Sequence, residues 1–375
     1  MRTAAIIHLE RFLRNFYAVK ARIGKEKRVC VPVKADGYGH GALQIAKTSQ
    51  EAGAFCLGVA TVNEGMELRK GGITIPILLM SQPLPQEIPG IIETSLTPFV
   101  SDSWFIYALN EQAALSKITL PVHLKIDTGM GRIGCRAEET AALAEQIAEC
   151  KSLELKGTAT HLAVSDSADL KDIAYTRTQL SCFKDAVNAI RTIGIDPGIV
   201  HAANSGAVIL HPDAWFDMVR PGILLYGYKA AEENLIPNFP FEPLIAEPVM
   251  ELKSTVVMIK KIKKGESVSY GRIWTAEEDT KIAILPVGYA DGFPRIASGK
   301  WQAVIGGKIY PLAGRISMDQ CCVNLGQNTT VRRWDEAQIF GAGQDAAALA
   351  AAAETIPYEI TCSINKRVPR IYVNE

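Results

Sequence analysis

The sequence predicts a (β/α)8 barrel of the TIM type followed by a mainly antiparallel β domain. Three observations carry that reading. Eight short runs rich in Val, Ile, Leu and Thr recur through the first part of the chain, most of them followed by a stretch with helical spacing. No Gly-x-Gly-x-x-Gly turn follows the first strand, which disfavours an open doubly wound sheet built for a dinucleotide. After Tyr228 the texture changes, and strand-like runs succeed one another with glycine turns and little room for helices between them.

The eight barrel strands are expected at 28–34, 55–60, 75–80, 96–100, 122–127, 155–161, 199–203 and 217–226. Helices are expected between them at 41–53, 63–70, 137–150 and 175–194, the last closing on a glycine as helices often do. The segment 229–248 is rich in Pro, Glu and Asn and reads as a long connection. A boundary near 235 follows, giving domains 1–235 and 236–375, with the first few residues free to pair with the β domain instead. Strand-like runs then cover 252–262, 267–274, 281–287 and 302–310, with turns at Lys264-Gly265 and Gly306-Gly307. One short helix over 345–355 interrupts them, with Asp345 as its N-cap.

Composition narrows the function. Forty Lys and Arg against forty Asp and Glu leave no net charge, so the basic excess that nucleic acid or an anionic membrane surface demands is missing. No apolar run approaches the roughly 18–20 residues that cross a bilayer, and residues 1–10 lack the layout of a signal peptide, so a cytoplasmic protein is expected. Eight scattered cysteines without a CxxC pair match neither a disulfide framework nor a zinc site, and no metal is expected.

A barrel enzyme carries its reactive groups at the C-terminal ends of its strands. The first strand ends at Lys34 before a glycine-rich turn containing Tyr38. A lysine leaving an apolar strand into a pocket can lose its proton and condense with an aldehyde, although a surface lysine at a loop start is an equally good reading of position alone. The fifth strand holds Lys125, a buried cation that must be neutralised or modified, and its loop holds Arg132. The sixth ends at His161 and the seventh in His201-Ala-Ala-Asn204-Ser205-Gly206. The eighth leads to Arg220-Pro-Gly222-Ile223. Ser205, Gly222 and Ile223 offer a hydroxyl and backbone N–H groups where barrels commonly bind phosphate. Each of these signals is weak taken singly.

Their combination resembles the bacterial alanine racemases. Val33-Lys34-Ala35-Asp36-Gly37-Tyr38-Gly39-His40-Gly41 looks like that family's pyridoxal phosphate attachment motif. Lys125-Ile-Asp-Thr-Gly-Met-Gly-Arg132, Thr160-His161, Asn204-Ser205, Arg220-Pro-Gly222-Ile223, Val268-Ser-Tyr270-Gly-Arg272, Leu285-Pro-Val-Gly-Tyr289, Gly314-Arg-Ile-Ser-Met318-Asp319 and Arg367-Val-Pro-Arg370 follow in the family's order. The resemblance spans both domains and implies a PLP barrel followed by a β domain.

It also implies a cofactor, pyridoxal 5′-phosphate, a small amino-acid substrate and a homodimer with shared active sites. Lys34 would hold the cofactor and act as one base, and Tyr270 of the second subunit would be the opposing base, because a proton lost from one face must be supplied on the other. Tyr38, Ser205, Gly222 and Ile223 would contact phosphate, Arg220 the pyridine nitrogen, and His161 would help stabilise the phenolate of Tyr270. Arg132, Met318 and Tyr289 would meet the substrate, and Lys125 matches a lysine that the family can carry as a carbamate. The product would be D-alanine for peptidoglycan. One position departs from the pattern: Lys366 stands where a tyrosine narrows the family's substrate entrance. A changed rim could admit serine or a larger amino acid. Two competing functions are a decarboxylase on the same architecture and a non-catalytic PLP-binding protein. Arg220 argues against the first, and retention of both Lys34 and Tyr270 against the second.

Overall fold

A computed structural model describes residues 2–231 and 241–374. The chain forms two compact units, one made of Leu13–Gly37 and Ala42–Ala246, the other of Met1–Phe12, Tyr38–Gly41 and Glu247–Glu375. The expected boundary near 235 lies outside the described residues. The strands in chain order are β1 (Thr3–His8), β2 (Arg28–Pro32), β3 (Cys56–Val59), β4 (Ile77–Leu79), β5 (Thr97–Val100), β6 (Leu120–Lys125), β7 (Leu153–Ala159), β8 (Ile199–His201) and β9 (Met218–Val219). Those of the C-terminal part are β10 (Met250–Thr255), β11 (Met258–Ile262), β12 (Ser267–Val268), β13 (Trp274–Thr275), β14 (Thr280–Leu285), β15 (Gln302–Ile305), β16 (Lys308–Pro311), β17 (Cys321–Gly326), β18 (Glu336–Phe340) and β19 (Arg370–Val373).

In the first unit, β2 to β9 form one eight-stranded parallel sheet in the order β8-β7-β6-β5-β4-β3-β2-β9. The ring closes between β8 and β9, where Asp217 N–H donates to Val200 C=O at 3.0 Å and Arg220 N–H to Ala203 C=O at 2.8 Å. The expected (β/α)8 barrel is therefore present. Its last strand is shorter than 217–226, because Pro221 cannot donate to a ladder and the apolar run after it coils into a 3-10 turn at Ile223–Tyr226. Cys30, Cys56, Leu78, Phe99, Ala159 and Met218 form one buried cluster inside the barrel.

The outer helices follow their caps and apolar stripes. Asp102 accepts from Phe105 N–H and starts the helix Ser103–Leu115, which buries Phe105, Ile106, Leu109 and Ala113. Thr61 and Glu64 make a reciprocal capping box for Val62–Lys70. Helices outside the expected set include Ser103–Leu115 itself, Leu9–Ile23, Ile88–Glu93 and Ser205–Leu210. Among the described residues no helix is long and apolar enough to cross a membrane.

The second unit is mainly antiparallel. Its largest sheet has the order β16-β15-β18-β10-β1-β19, so the first strand of the chain pairs antiparallel with β10 and parallel with β19. The run 252–262 is not one strand. It divides into β10 and β11, which join different sheets. The run 267–274 likewise resolves into the short pair β12 and β13 around a turn at Tyr270–Arg272. Gly306 and Gly307, both with positive φ, connect β15 and β16 as expected. Asp345 caps the helix Ala346–Ala352, and a further short helix, Pro357–Cys362, follows it.

One glycine of the barrel makes room for the polar interior. A Cβ on Gly157 would stand 2.6–2.8 Å from the imidazole of His123. Gly157→Ala should therefore displace that ring and destabilise the chain by about 1–3 kcal/mol in urea unfolding. A loss below about 0.5 kcal/mol would show that the ring moves freely.

Candidate active site

The residues singled out at the barrel strand ends converge. Lys34 is half-buried just beyond β2, and Val33 N–H is anchored on Gly58 C=O at 2.8 Å. The backbone then turns left-handed through Ala35, Asp36, Gly37 and Tyr38, with φ of 53°, 54°, 61° and 53°. Gly37 N–H returns to Val33 C=O, Asp36 Oδ1 accepts from Ala42 N–H, and Glu64 Oε1 accepts from Ala35 N–H at 2.7 Å.

Lys125 ends β6 and is buried, its Nζ donating to Ile126 C=O at 2.8 Å. Burial first and the Arg220 charge second lower its pKa to about 7. The following loop is organised by Asp127, whose carboxylate accepts from the N–H groups of Gly129, Met130, Gly131 and Arg132. Burial alone would raise its pKa, but those backbone donors hold it below the usual carboxylate range. Asp127 thereby sets the course of the loop that presents the exposed Arg132.

Arg220 is buried as well. Its guanidinium donates to Thr160 C=O at 2.7 Å, Ala202 C=O at 3.1 Å, His201 Nδ1 at 2.6 Å and His161 Nδ1 at 3.4 Å. Burial lowers its pKa to about 10, so it keeps its proton at neutral pH. A guanidinium cannot accept, hence His201 Nδ1 carries no proton and its Nε2 donates to His123 Nδ1 at 2.8 Å. Burial and then Arg220 push His123 down to about 3. His161 is held well below its ordinary value by burial and then by Arg220, Lys125, Arg132 and Lys34, in that order.

The site thus gathers four basic side chains around a neutral imidazole, while Asp127 is already engaged by four backbone donors. Two further features point to an anion. Ser205 opens the helix Ser205–Leu210 behind its N-cap Asn204, and its Oγ accepts from Leu224 N–H at 3.3 Å. The N–H groups of Gly222 and Ile223, at the start of the 3-10 turn, have no partner among the described residues. A phosphorylated aldehyde fits this donor set, with an amine for the aldehyde and hydroxyl and N–H donors for phosphate. Among the described residues no cluster of His, Cys, Asp and Glu could hold a metal ion.

The other expected residues lie in the second unit. Tyr38 is buried there, its ring 6.0 Å from that of Tyr358. Tyr270, Tyr289 and Met318 are 70%, 43% and 53% exposed. Their segments are bonded together: Ser269 Oγ donates to Arg315 C=O, Tyr289 N–H to Ser317 C=O and Ala290 N–H to Met318 C=O. Gly288 permits this approach, since a Cβ there would come within 2.2 Å of Ser317 O. Ser269, at φ 66° and ψ −177°, holds a conformation that L residues rarely adopt, next to Tyr270. Lys366 is exposed.

Sequence reasoning assigned no role to Asp127, His123, Thr160 or Glu64. Asp127 stood inside a recognised motif, and Thr61-x-x-Glu64 is a capping-box pattern, so both had a visible signal. Thr160 stood in the recognised Thr160-His161 pair, and His123 had no signal beyond its place on a strand.

Comparison with known proteins agrees with this geometry. The family described as "Alanine racemase, N-terminal domain" matches residues 7–230, and "Alanine racemase, C-terminal domain" matches 249–372. An alanine racemase of Treponema denticola is 49% identical over all of this chain and 98% of its own length. The Clostridium difficile alanine racemase in complex with cycloserine superposes with a TM-score of 0.91 at 32% identity, over 100% of this chain and 96% of that one. The Bacillus anthracis alanine racemase with bound L-Ala-P gives 0.90 at 31%, with the same coverage. Strand-end lysine, buried guanidinium, phosphate-ready turn and two-domain match all agree, and the chain belongs to the alanine racemase family.

Proposed function

We propose that this chain interconverts L- and D-alanine with pyridoxal 5′-phosphate, as a homodimer whose active sites take residues from both copies. The basic side chains around His161, which are Arg220, Lys125, Arg132 and the strand-end Lys34, carry this reading, because they suit an anionic cofactor. When bound, the cofactor supplies an electron sink that acidifies the α-C–H bond of an amino acid. Lys34 would hold it, with Tyr38, Ser205 and the N–H groups of Gly222 and Ile223 on its phosphate. Arg220 only donates, so a ring nitrogen facing it stays unprotonated, which weakens the sink and limits side reactions. Lys34 Nζ would move the α-proton on one face of the substrate. Tyr270 Oη of the second copy would do so on the other, with Arg220 and His161 favouring its phenolate.

Arg132 would hold the substrate carboxylate together with Met318 of the second copy, and Tyr289 would line the entrance. The exposure of Tyr270, Tyr289 and Met318 on bonded segments supports such a shared site. Cycloserine and L-Ala-P in the two related structures support a ligand the size of alanine. A cytoplasmic enzyme making D-alanine for peptidoglycan is the corresponding cellular role. Lys366 favours a second reading in which serine is also accepted.

Lys125 would carry a carbamate. With its pKa at about 7, a large fraction of its Nζ is unprotonated at neutral pH and can add to CO2, forming an N–C bond and releasing one proton. The product is an anion able to pair with Arg132.

The purified protein with PLP should convert L-alanine to equal D and L forms by chiral chromatography, faster than L-serine. Preferred serine turnover would assign it to a broader racemase. Tyr270→Phe should slow α-proton exchange from L-alanine by about 100-fold or more while cofactor stays bound. Mixing Tyr270→Phe with Lys34→Ala copies should restore roughly a quarter of wild-type activity, since half the dimers are mixed and each then holds one intact site. No recovery despite measured exchange of subunits would rule out shared sites. In CO2-free buffer, stability should rise as pH climbs from about 7 towards 10.5, because the unfolded Lys125 binds a proton that the folded one does not. Lys125→Met should lose this rise in urea titrations, and 13C-bicarbonate should give a carbamate NMR signal only with Lys125 present.

A further inference from the structure

Glu64 does more than cap its helix. Its Oε2 accepts from Ala60 N–H at 2.7 Å and Thr61 N–H at 3.2 Å, beyond the end of β3. Its Oε1 leaves that helix and accepts from Ala35 N–H at 2.7 Å, the residue directly after Lys34. One half-buried carboxylate therefore ties the end of β2 to the end of β3. Ala35 opens the left-handed run, and three of that run's four residues carry a Cβ, which L residues place there only at a cost in free energy. That cost needs an external hold, and the bond from Ala35 to Glu64 supplies one at the run's first peptide.

The residue type matters. Three N–H donors face two oxygens, so both oxygens must accept. A glutamine would turn its NH2 towards one set of donors and lose it. An aspartate is one methylene shorter and would not span both strand ends from the third position of the helix.

We infer that Glu64 is a positioning residue for Lys34, fixing the turn that directs the lysine amine as it leaves β2. The inference rests on Lys34 being the cofactor lysine. A capping role alone makes a different prediction, because Thr61 Oγ1 accepts from Glu64 N–H at 3.2 Å in the other half of the capping box and does not touch Ala35. Thr61→Ala thus weakens the helix start while leaving the bond to Ala35 in place.

The test loads wild type, Glu64→Ala, Glu64→Gln and Thr61→Ala with PLP. Borohydride reduction and peptide mass spectrometry then locate the pyridoxyl-lysine, cofactor affinity is titrated by fluorescence, and hydrogen exchange is followed for the peptide containing Ala35. Both Glu64 variants should lose about tenfold or more in cofactor affinity and exchange the Ala35 amide faster. Thr61→Ala should stay within about threefold of wild type in affinity, although it lowers thermal stability. Glu64 variants with wild-type affinity and exchange would overturn the inference, as would an equal loss in Thr61→Ala. Should Glu64→Ala not fold, Glu64→Gln, which keeps side-chain volume and a helix-capping amide, decides. A wild-type label on a lysine other than Lys34 would instead sink the cofactor assignment.

Discussion

The site is built around a guanidinium that has no carboxylate partner among the described residues. Arg220 is buried against two carbonyl oxygens and two imidazole nitrogens, all neutral acceptors. A buried charge is tolerable only when its donors are satisfied, so every acceptor around it is committed to accepting. That commitment passes from His201 to His123 through a single permitted tautomer. It requires the carbonyls of Thr160 and Ala202 to stand just past the ends of β7 and β8, and it requires Gly157 to leave space for the His123 ring. The barrel interior is therefore a polar scaffold fixed by one cation that can only donate.

Backbone strain marks both places where a proton would be moved. The left-handed turn after Lys34 and the conformation of Ser269 beside Tyr270 are unusual for residues with side chains. Each is offset by local bonds: Glu64 and Asp36 at the first, and the Ser269 hydroxyl on Arg315 C=O at the second. Such bonds hold a reactive group in one direction without a long helix or strand beneath it. In the second unit, Gly288 plays a comparable part by letting the segments of Tyr289 and Met318 share backbone bonds.

Where apolar runs are local, the sequence is easy to read. Strands β2 to β6 are short, mostly apolar and mostly buried segments of a parallel sheet, and they and β7 each lie within or overlap their expected ranges. The eighth run misled because Ile223–Tyr226 is as apolar as a strand, while Pro221 and Gly222 had already ended the ladder. Strands β1 and β19 lie at opposite ends of the chain and pair with each other, a partnership that no window of sequence contains. At the barrel mouth, Lys34 and Arg220 were legible because family motifs surround them. Glu64 was not, since its role depends on a strand end 29 positions away, although its capping pattern was plain. Helix Leu9–Ile23 does carry a legible pattern outside the expected set: Phe12, Phe16, Val19 and Ile23 are buried at helical spacing.

The clustering of positive charge gives the receptor a thermodynamic character. Burial first and the Arg220 charge second lower the proton affinity of Lys125 and His161, so added positive charge is disfavoured there. An anion entering this cluster reverses the sign of that interaction: it is attracted by Lys34, Arg132 and Arg220 while relieving their mutual repulsion. Any ligand that binds only the folded form then stabilises it in proportion to the logarithm of its concentration over its dissociation constant. A phosphate at Gly222 and Ile223 and a carbamate on Lys125 would act in the same direction, each supplying negative charge that the protein's own acids do not. Asp127 cannot substitute for them, because its four backbone bonds are what shape the loop carrying Arg132. The fold thus leaves an excess of basic groups at the barrel mouth, and an anion binding there would stabilise the folded form.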